Sequence, residues 1–259
     1  MTKIELKPGK KVYFASDFHL GAPDHAGSLI REKKIISWLD SIEHDADTIF
    51  LCGDLFDFWF EYNRVVPKGY VRFFGKLASL TDKGIRVIVF TGNHDMWMRD
   101  YLEVEIGAEV YREPKQYLIN GKKFLIGHGD GLGPGDYAYK YLKVIFESSF
   151  CRFLFGRVLH ANLGQFLGYK WASHSWKKHL KENDVYNYES PEKEILFLYC
   201  KEIEAKEHHD FYVFGHRHFK LDLPVAMNAR YINLGDWIRF YSYGVFENND
   251  FSLCKYCVD

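Results

Sequence analysis

Apolar runs of strand length recur along the chain, and most of them stop at a glycine or an acid. Lys11-Val12-Tyr13-Phe14-Ala15-Ser16 runs into Asp17, and Thr48-Ile49-Phe50-Leu51-Cys52 runs into Gly53-Asp54. Ile85-Arg86-Val87-Ile88-Val89-Phe90 leads to Gly92-Asn93-His94. Between the first two runs, Leu29, Ile30, Lys33, Ile36, Leu39 and Ile42 recur at helical spacing, which predicts a helix from about Ser28 to His44. A second helix is expected around Val71 to Thr81. Alternating strands and helices of this kind predict an α/β layer with polar residues gathered at the C-terminal ends of the strands, where such sheets build their sites.

The pattern changes from about Tyr111. Tyr117-Leu118-Ile119 and Lys123-Phe124-Leu125-Ile126 flank Asn120-Gly121, the signature of a tight hairpin, and the second strand ends at Gly127-His128. Phe211-Tyr212-Val213-Phe214 ends at Gly215-His216, and a last hairpin is expected from Trp237 to Val245 and from Phe251 to Cys257 around Glu247-Asn248-Asn249-Asp250. No internal repeat or low-complexity segment interrupts this order, so residues 1–259 read as one domain.

The segment 132–181 stands apart. It is dense in aromatics such as Tyr137, Phe146, Phe155, Tyr169 and Trp171 and in basic residues such as Lys140, Lys143, Arg157 and Lys170. It lies between two strands that both end in histidine, which predicts a helical insertion covering the site. Aromatic and aliphatic side chains there suit acyl chains, and the Lys and Arg residues suit phosphate or anionic headgroups.

Composition narrows the function. Hydrophobic residues make up 47% of the chain, enough for a large core, while a net charge of −1 argues against nucleic acid as a partner. The N-terminus lacks the apolar stretch of a signal peptide and no run is long enough to cross a bilayer, so a cytoplasmic protein is expected. The five cysteines have no framework spacing, and the lone Cys254-x-x-Cys257 pair has no partner pair with which to build a zinc site.

The candidate chemistry lies in five short motifs: Asp17-Phe18-His19, Gly53-Asp54-Leu55-Phe56-Asp57, Gly92-Asn93-His94-Asp95, Gly127-His128 and Gly215-His216-Arg217-His218. They offer Asp, Asn and His side chains and no Cys, a donor set for paired divalent metals of intermediate hardness, which hydrolyse phosphate esters. If the strands stay extended, residues two apart point the same way, so Asp17 converges with His19 and His216 with His218, with Arg217 directed away. The glycines at 53, 92, 127 and 215 would permit tight turns and close approaches beside the donors.

This ordered set, spanning residues 17 to 218, resembles the calcineurin-like metallophosphoesterase superfamily. The resemblance implies two packed mixed β-sheets flanked by helices. It implies one metal held by Asp17, His19, Asp54 and His218, and a second by Asp54, Asn93, His128 and His216, with Asp54 bridging. The metals are expected to be Mn²⁺, with Fe or Zn²⁺ also suited to the donors. Water would attack phosphorus in line without a covalent enzyme intermediate. His94 would protonate the leaving oxygen or bind the phosphoryl group, and Asp57 would orient its imidazole.

Narrower features resemble the UDP-2,3-diacylglucosamine diphosphatase branch of lipid A synthesis. Gly53-Asp54-Leu55-Phe56-Asp57-Phe58-Trp59 matches its G-D-x-F-[ED]-x-W run, and His128-Gly129-Asp130-Gly131-Leu132 followed by Asp136 and Tyr139 matches a second. Lys170, Ser173 and Lys177 follow a basic-x-x-Ser-x-x-x-Lys pattern. By this resemblance Trp59, Asp136, Tyr139, Lys170, Ser173 and Lys177 contact substrate, and the insertion is a cap that holds acyl chains. The substrate would be a lipid-linked UDP-sugar cleaved to UMP and 2,3-diacylglucosamine 1-phosphate, with peripheral contact at the cytoplasmic face of the inner membrane and no obligate protein partner. The best-known members of the branch carry Arg where this chain has His94. Two alternatives stand beside this reading: a general metallophosphoesterase acting on another phosphodiester or nucleotide, and a scaffold that keeps the fold without catalysis.

Overall fold

The computed structural model describes residues 1–135, 137–181 and 188–257, except the side chains of Ala138, Glu147, Arg152 and 172–181. The strands are β1 (Thr2–Ile4), β2 (Lys11–Ala15), β3 (Ala46–Cys52), β4 (Arg86–Phe90), β5 (Glu109–Tyr111), β6 (Lys115–Ile119), β7 (Lys122–Ile126), β8 (Phe211–Phe214), β9 (Lys220–Ala226), β10 (Ala229–Leu234), β11 (Ser242–Glu247) and β12 (Asp250–Lys255). The helices are α1 (His25–Ile42), α2 (Val71–Asp82), α3 (Tyr137–Glu147), α4 (Ser149–Arg157), α5 (Ala161–Lys181) and α6 (Ile195–Glu204). They build two six-stranded sheets, one ordered β1-β6-β7-β8-β10-β9 and the other β12-β11-β2-β3-β4-β5. Both are mixed: β2, β3, β4 and β5 run parallel while β11 is antiparallel to β2, and β7 and β8 are parallel while β6 and β7 form the expected hairpin.

The strands are apolar on both faces because both faces are covered. Val12 and Phe14, Phe50 and Cys52, and Ile88 and Phe90 point into the gap between the sheets, where they meet Tyr117, Phe124, Ile126 and Val213 of the opposite sheet. The residues between them, Tyr13, Ala15, Ile49, Leu51, Val87 and Val89, point outward to α1 and α2. Phe14 stacks on Phe50 with ring centroids 5.1 Å apart and on Phe124 across the gap at 6.1 Å, so aromatic contacts lock the sheets face to face. On the far side of the sheet that holds β8 and β10, Leu196, Phe197 and Cys200 of α6 cover Tyr212, Phe214 and Tyr231.

Two elements differ from the sequence reading. Helix α1 begins a turn earlier than expected, where the Asp24 carboxylate accepts a hydrogen bond from the Gly27 amide. Its buried face is Ser28, Arg31, Glu32, Ile35, Trp38, Leu39 and Ile42, while Ile30 is exposed. Counting apolar positions alone missed the two charged residues, which bury because they satisfy loop backbone. Arg31 donates to the carbonyls of Phe18, His19 and Ala22, and Glu32 accepts from the Phe73 amide. The last hairpin also starts later, at Ser242 rather than Trp237. Asp236 Oδ1 accepts from the amides of Ile238, Arg239 and Phe240, which curls residues 236–241 into a turn that a strand cannot share.

Helices α3, α4 and α5 fill most of the segment expected to be helical. Helix α5 presents Gly164 and Gly168 to the body of the protein. A Cβ on Gly168 would lie 2.2 Å from the Phe58 ring, so only glycine lets the helix approach this closely. The Tyr169 hydroxyl meets that of Tyr70 at 3.3 Å, and the Trp97 indole N–H donates to the Phe146 carbonyl.

Candidate dinuclear metal centre

The strand-end motifs meet at one edge of the two sheets. Asp17, His19 and His218 each offer a donor atom within 4.8 Å of the others, as do Asp54, His128 and His216. His94 comes within the same distance of His19 and Asp54. Asp54 Oδ2 lies 3.7 Å from His19 Nε2 and 3.3 Å from His128 Nε2, which places one carboxylate between the two groups. Asn93 Oδ1 is 3.0 Å from His216 Nδ1 and 3.4 Å from His128 Nε2, and so falls in the second group.

Convergence is achieved by a route other than strand pleating. Asp17, His19, Asp54, His216 and His218 all have positive φ, between 44° and 66°, in the left-handed region that non-glycine residues seldom enter. The chain therefore coils rather than running on as a strand, and each coil turns its side chain back into the pocket. Residues in such conformations cost on the order of 1–3 kcal/mol each and persist where the surroundings hold them. Here backbone bonds zip the loops together: the amides of Asp17 and His19 donate to the carbonyls of Gly53 and Asp54, and the Gly215 amide donates to the His128 carbonyl. Gly92 is required by crowding, since a Cβ there would sit 2.2 Å from Asp54 Oδ1.

A layer of groups behind the donors, none assigned from the sequence, fixes their orientation. Arg31 grips the loop carrying Asp17 and His19. Asp95, fully buried, accepts from the amides of Leu55 and Gly92 and so ties the Asp54 loop to the Asn93 loop. Burial and the nearby Asp54 charge push the Asp95 carboxyl up to about 7, against the pull of those amides. Asp236 Oδ2 lies 3.3 Å from His218 Nδ1, and the Cys52 carbonyl lies 2.8 Å from His128 Nδ1. Each contact commits one ring nitrogen and leaves Nε2 for the pocket, the usual arrangement behind a metal-ligating histidine. Burial pushes Asp236 up, but His218 and the turn amides outweigh it and hold the carboxyl at about 2. Among these, Asp95 had the clearest sequence signal, as the last residue of Gly92-Asn93-His94-Asp95.

The electrostatics suit cations. Burial alone would lower His19, but Asp17 and Asp57 carry it up to about 10. The same contest raises His128 to about 10 through Asp54, whereas burial and the His128 charge push His216 down to about 4. Asp54 is held well below the ordinary carboxylate range despite burial, because His128, His94 and His19 surround it. Asp17 Oδ1 is buried with no well-formed hydrogen bond, and His19 Nε2 faces His218 Nε2 at 3.3 Å. Opposed nitrogens and an unsatisfied carboxylate oxygen at one point are what a bound cation would resolve, so the donors present fit a pair of divalent metals.

The remaining candidates divide. His94 Nδ1 lies 2.7 Å from the main-chain carbonyl of Asp57 and 3.8 Å from its carboxylate, so the backbone of Asp57 rather than its side chain orients the ring. The Asp57 carboxylate is closer to His19 Nδ1, at 3.5 Å. Trp59 does not face the site, contrary to expectation. It is fully buried in the core, stacks on Phe56 with centroids 4.4 Å apart, and donates its indole N–H to Glu61. A bulky ring with an internal acceptor satisfies itself inside the core, so it has no surface left for substrate. Tyr139 donates to Asp130, a buried carboxylate that also pairs with Lys143 at 2.8 Å; this joins α3 to the loop after His128. Lys170 is exposed on α5. Asp136 lies outside the described residues, as do the side chains of Ser173 and Lys177. Cys254 and Cys257 are both free thiols.

Beside the donors, α3–α5 enclose a cavity of about 540 Å³ walled by Phe58, Phe146, Leu154, Leu167 and Trp171. Its wall is almost entirely apolar. The Trp171 ring lies 6.5 Å from that of His94, so the cavity opens next to the metal donors.

Residues 10–220 match the model of the calcineurin-like phosphoesterase family. A protein of Porphyromonas gingivalis named UDP-2,3-diacylglucosamine hydrolase is 37% identical, over 94% of this chain and 96% of the relative. Proteins of the same name from Shewanella baltica and Aeromonas hydrophila are each 26% identical, over 88% and 93% of this chain and 89% and 93% of the relatives. With this match across most of its length, the chain belongs to the calcineurin-like phosphoesterase family.

Proposed function

We propose that this hydrolase cleaves the diphosphate of a UDP-2,3-diacylglucosamine, releasing UMP and a diacylated sugar phosphate. The observation that carries the reading is the placing of an apolar cavity of about 540 Å³ against a donor set for two metals, with Trp171 and His94 at the junction. A general phosphodiesterase has no need of such a chamber, whereas a doubly acylated substrate must put its chains somewhere dry.

In this reading Asp17, His19, Asp54 and His218 hold one divalent ion and Asp54, Asn93, His128 and His216 the other. Mn²⁺ is the proposed metal, and Fe or Zn²⁺ suits the same donors. When bound, the ions polarise the phosphoryl group and make water an effective nucleophile at neutral pH. The chain's own residues do the rest. With Nδ1 committed to the Asp57 carbonyl, His94 has Nε2 for the reacting group, where it passes a proton to the leaving oxygen or hydrogen-bonds the phosphoryl oxygens. Asp57 steadies His19 through its carboxylate and His94 through its main-chain carbonyl.

The segment 132–181 acts as a cap within a single domain. Its apolar walls take the acyl chains and keep water from them, and the residues proposed to meet the sugar and phosphates are Tyr139, Asp136, Lys170, Ser173 and Lys177. Tyr141, Val144, Phe150, Phe153 and Phe166 are exposed on this cap. An apolar face of that size favours peripheral contact with the cytoplasmic side of the inner membrane, where the substrate resides. Among the described residues no helix is long and apolar enough to cross a membrane.

The test is a direct comparison of substrates. UDP-2,3-diacylglucosamine should be turned over in preference to p-nitrophenyl phosphodiesters and cyclic nucleotides, yielding UMP. A preference for the small diesters would refute the lipid reading and leave the general phosphoesterase.

A further inference from the structure

A second cavity, of about 450 Å³, lies on the other side of α4 from the apolar one. Helix α4 serves both: Ser149, Phe153, Gly156 and Arg157 line this cavity, and Cys151, Leu154, Phe155 and Val158 line the other. Phe60 and Trp97 also border both, with the Trp97 ring stacked on Phe155 at 5.7 Å, so an aromatic partition separates them. The second cavity shares no lining residue with the metal donors.

Its chemistry differs from that of its neighbour. Arg99 and Arg157 stand at its rim, both exposed, and among the described residues neither is within ion-pair distance of a carboxylate. Among the described residues, Arg99 donates to the neutral Asn63 amide oxygen. The acid in the wall, Glu61, is turned inward and fully engaged: it accepts from the Trp59 indole and from the amides of Asp100 and Tyr101. Two guanidiniums against this one carboxylate leave the cavity with a net positive charge among Phe60, Tyr62, Met98 and Phe153. Phe153 of α4, in its wall, stands exposed. Guanidinium groups match phosphate oxygens by paired hydrogen bonds, and apolar walls below a cationic rim match the glycerol and first methylenes of a lipid.

We propose that this cavity binds the phosphate head of an anionic phospholipid between Arg99 and Arg157, as a site separate from the catalytic centre. It rests on the reading that the cap faces a membrane, but not on the identity of the substrate. The occupant is a lipid rather than a free anion, because the arginines share the cavity with aromatic and aliphatic side chains, of which Phe153 is exposed to meet a chain. A lipid held here anchors α4, the wall of the acyl cavity, at the bilayer surface.

The experiment titrates the metal-loaded full-length protein with dihexanoyl phosphatidylglycerol below its micellar threshold, beside dihexanoyl phosphatidylcholine and inorganic phosphate. Phosphatidylglycerol should bind saturably, and Arg99→Ala with Arg157→Ala should weaken it about tenfold or more, as loss of charged hydrogen bonds implies. Both should keep the metal content and melting temperature of the parent. Inorganic phosphate binding as tightly as the lipid would overturn the proposal, as would undiminished lipid binding by the double variant. Binding abolished by Leu167→Trp, which fills the other cavity, but kept in the double arginine variant would also overturn it. Loss of UDP-sugar turnover with lipid binding intact would instead count against the proposed substrate alone.

Discussion

The metal centre and the α3–α5 cap are built on opposite principles. At the centre, most donors sit on coiled loops, and several are fixed from behind by a second group: Arg31 on the His19 loop, Asp95 on the Asp54 loop, Asp236 on His218. In the cap, large apolar side chains such as Tyr137, Phe150, Val158 and Phe166 stand exposed, and the helix nearest the site docks through bare glycines. The first region uses conformational strain to hold a few atoms in place. The second keeps apolar surface open, as a region that must admit a flexible lipid requires. Chemistry and substrate choice should therefore separate when each is mutated.

The largest effect is expected at the shared carboxylate. Asp54→Asn removes the charge between the two donor groups, and turnover of every phosphoester should fall by well over the roughly 100-fold that outer partners cost. Metal content measured on the same sample should fall with it. Asp236→Asn should cost about 10–100-fold in metal affinity, because His218 loses the group that fixes its ring, and excess metal should restore much of the rate. If Asp236→Asn matched Asp54→Asn in severity with no rescue by metal, the layered account of the centre would fail.

Cap variants should behave differently. Trp171→Ala, at the mouth of the apolar cavity, should raise KM for the lipid substrate by about tenfold, in line with the loss of an aromatic contact, while small diesters are hydrolysed as before. Equal losses on both substrates would mean that the cap is part of the chemical machinery. Gly168→Ala should force α5 away from Phe58 at a cost of about 1–3 kcal/mol and show the same selective loss.

The smallest effect concerns pH. In the metal-free protein His19 and His128 titrate near 10, above the ordinary 6.5. A group raised in the folded state lends stability below its unfolded value, and that contribution is lost as pH rises through the folded one. The melting temperature of the metal-free form should thus decline between pH 6.5 and 10. The metal-loaded form should decline less, because the ions displace those protons, and metal uptake at pH 7.5 should release protons measurable by titration in buffers of different ionisation enthalpy.

The strands, the order of the motifs and the donors at the strand ends were legible in the sequence because apolar runs of strand length and glycine-acid stops are local signals. The means of convergence was not. Asp17 with His19 and His216 with His218 were expected to converge if the backbone stayed extended, and the chain instead coils there with positive φ. That choice is enforced by bonds to Gly53, Asp54 and His128, partners remote in sequence. Arg31 and Asp236 were missed for the same reason: each acts on backbone or a ring brought near only by folding. Trp59 misled in the opposite direction, since its motif position matched a substrate contact while its indole found Glu61 two residues on. The cap helices followed from composition, but the cavity and its partition by Phe60 and Trp97 follow only from packing.

The most direct test combines metal analysis with product detection. Purified protein and the Asp54→Ala variant would be assayed for bound divalent metal and for UMP released from UDP-2,3-diacylglucosamine. The account predicts two ions per chain and rapid UMP release by the parent, and loss of both in the variant. A parent protein that binds no metal and releases no UMP would contradict it.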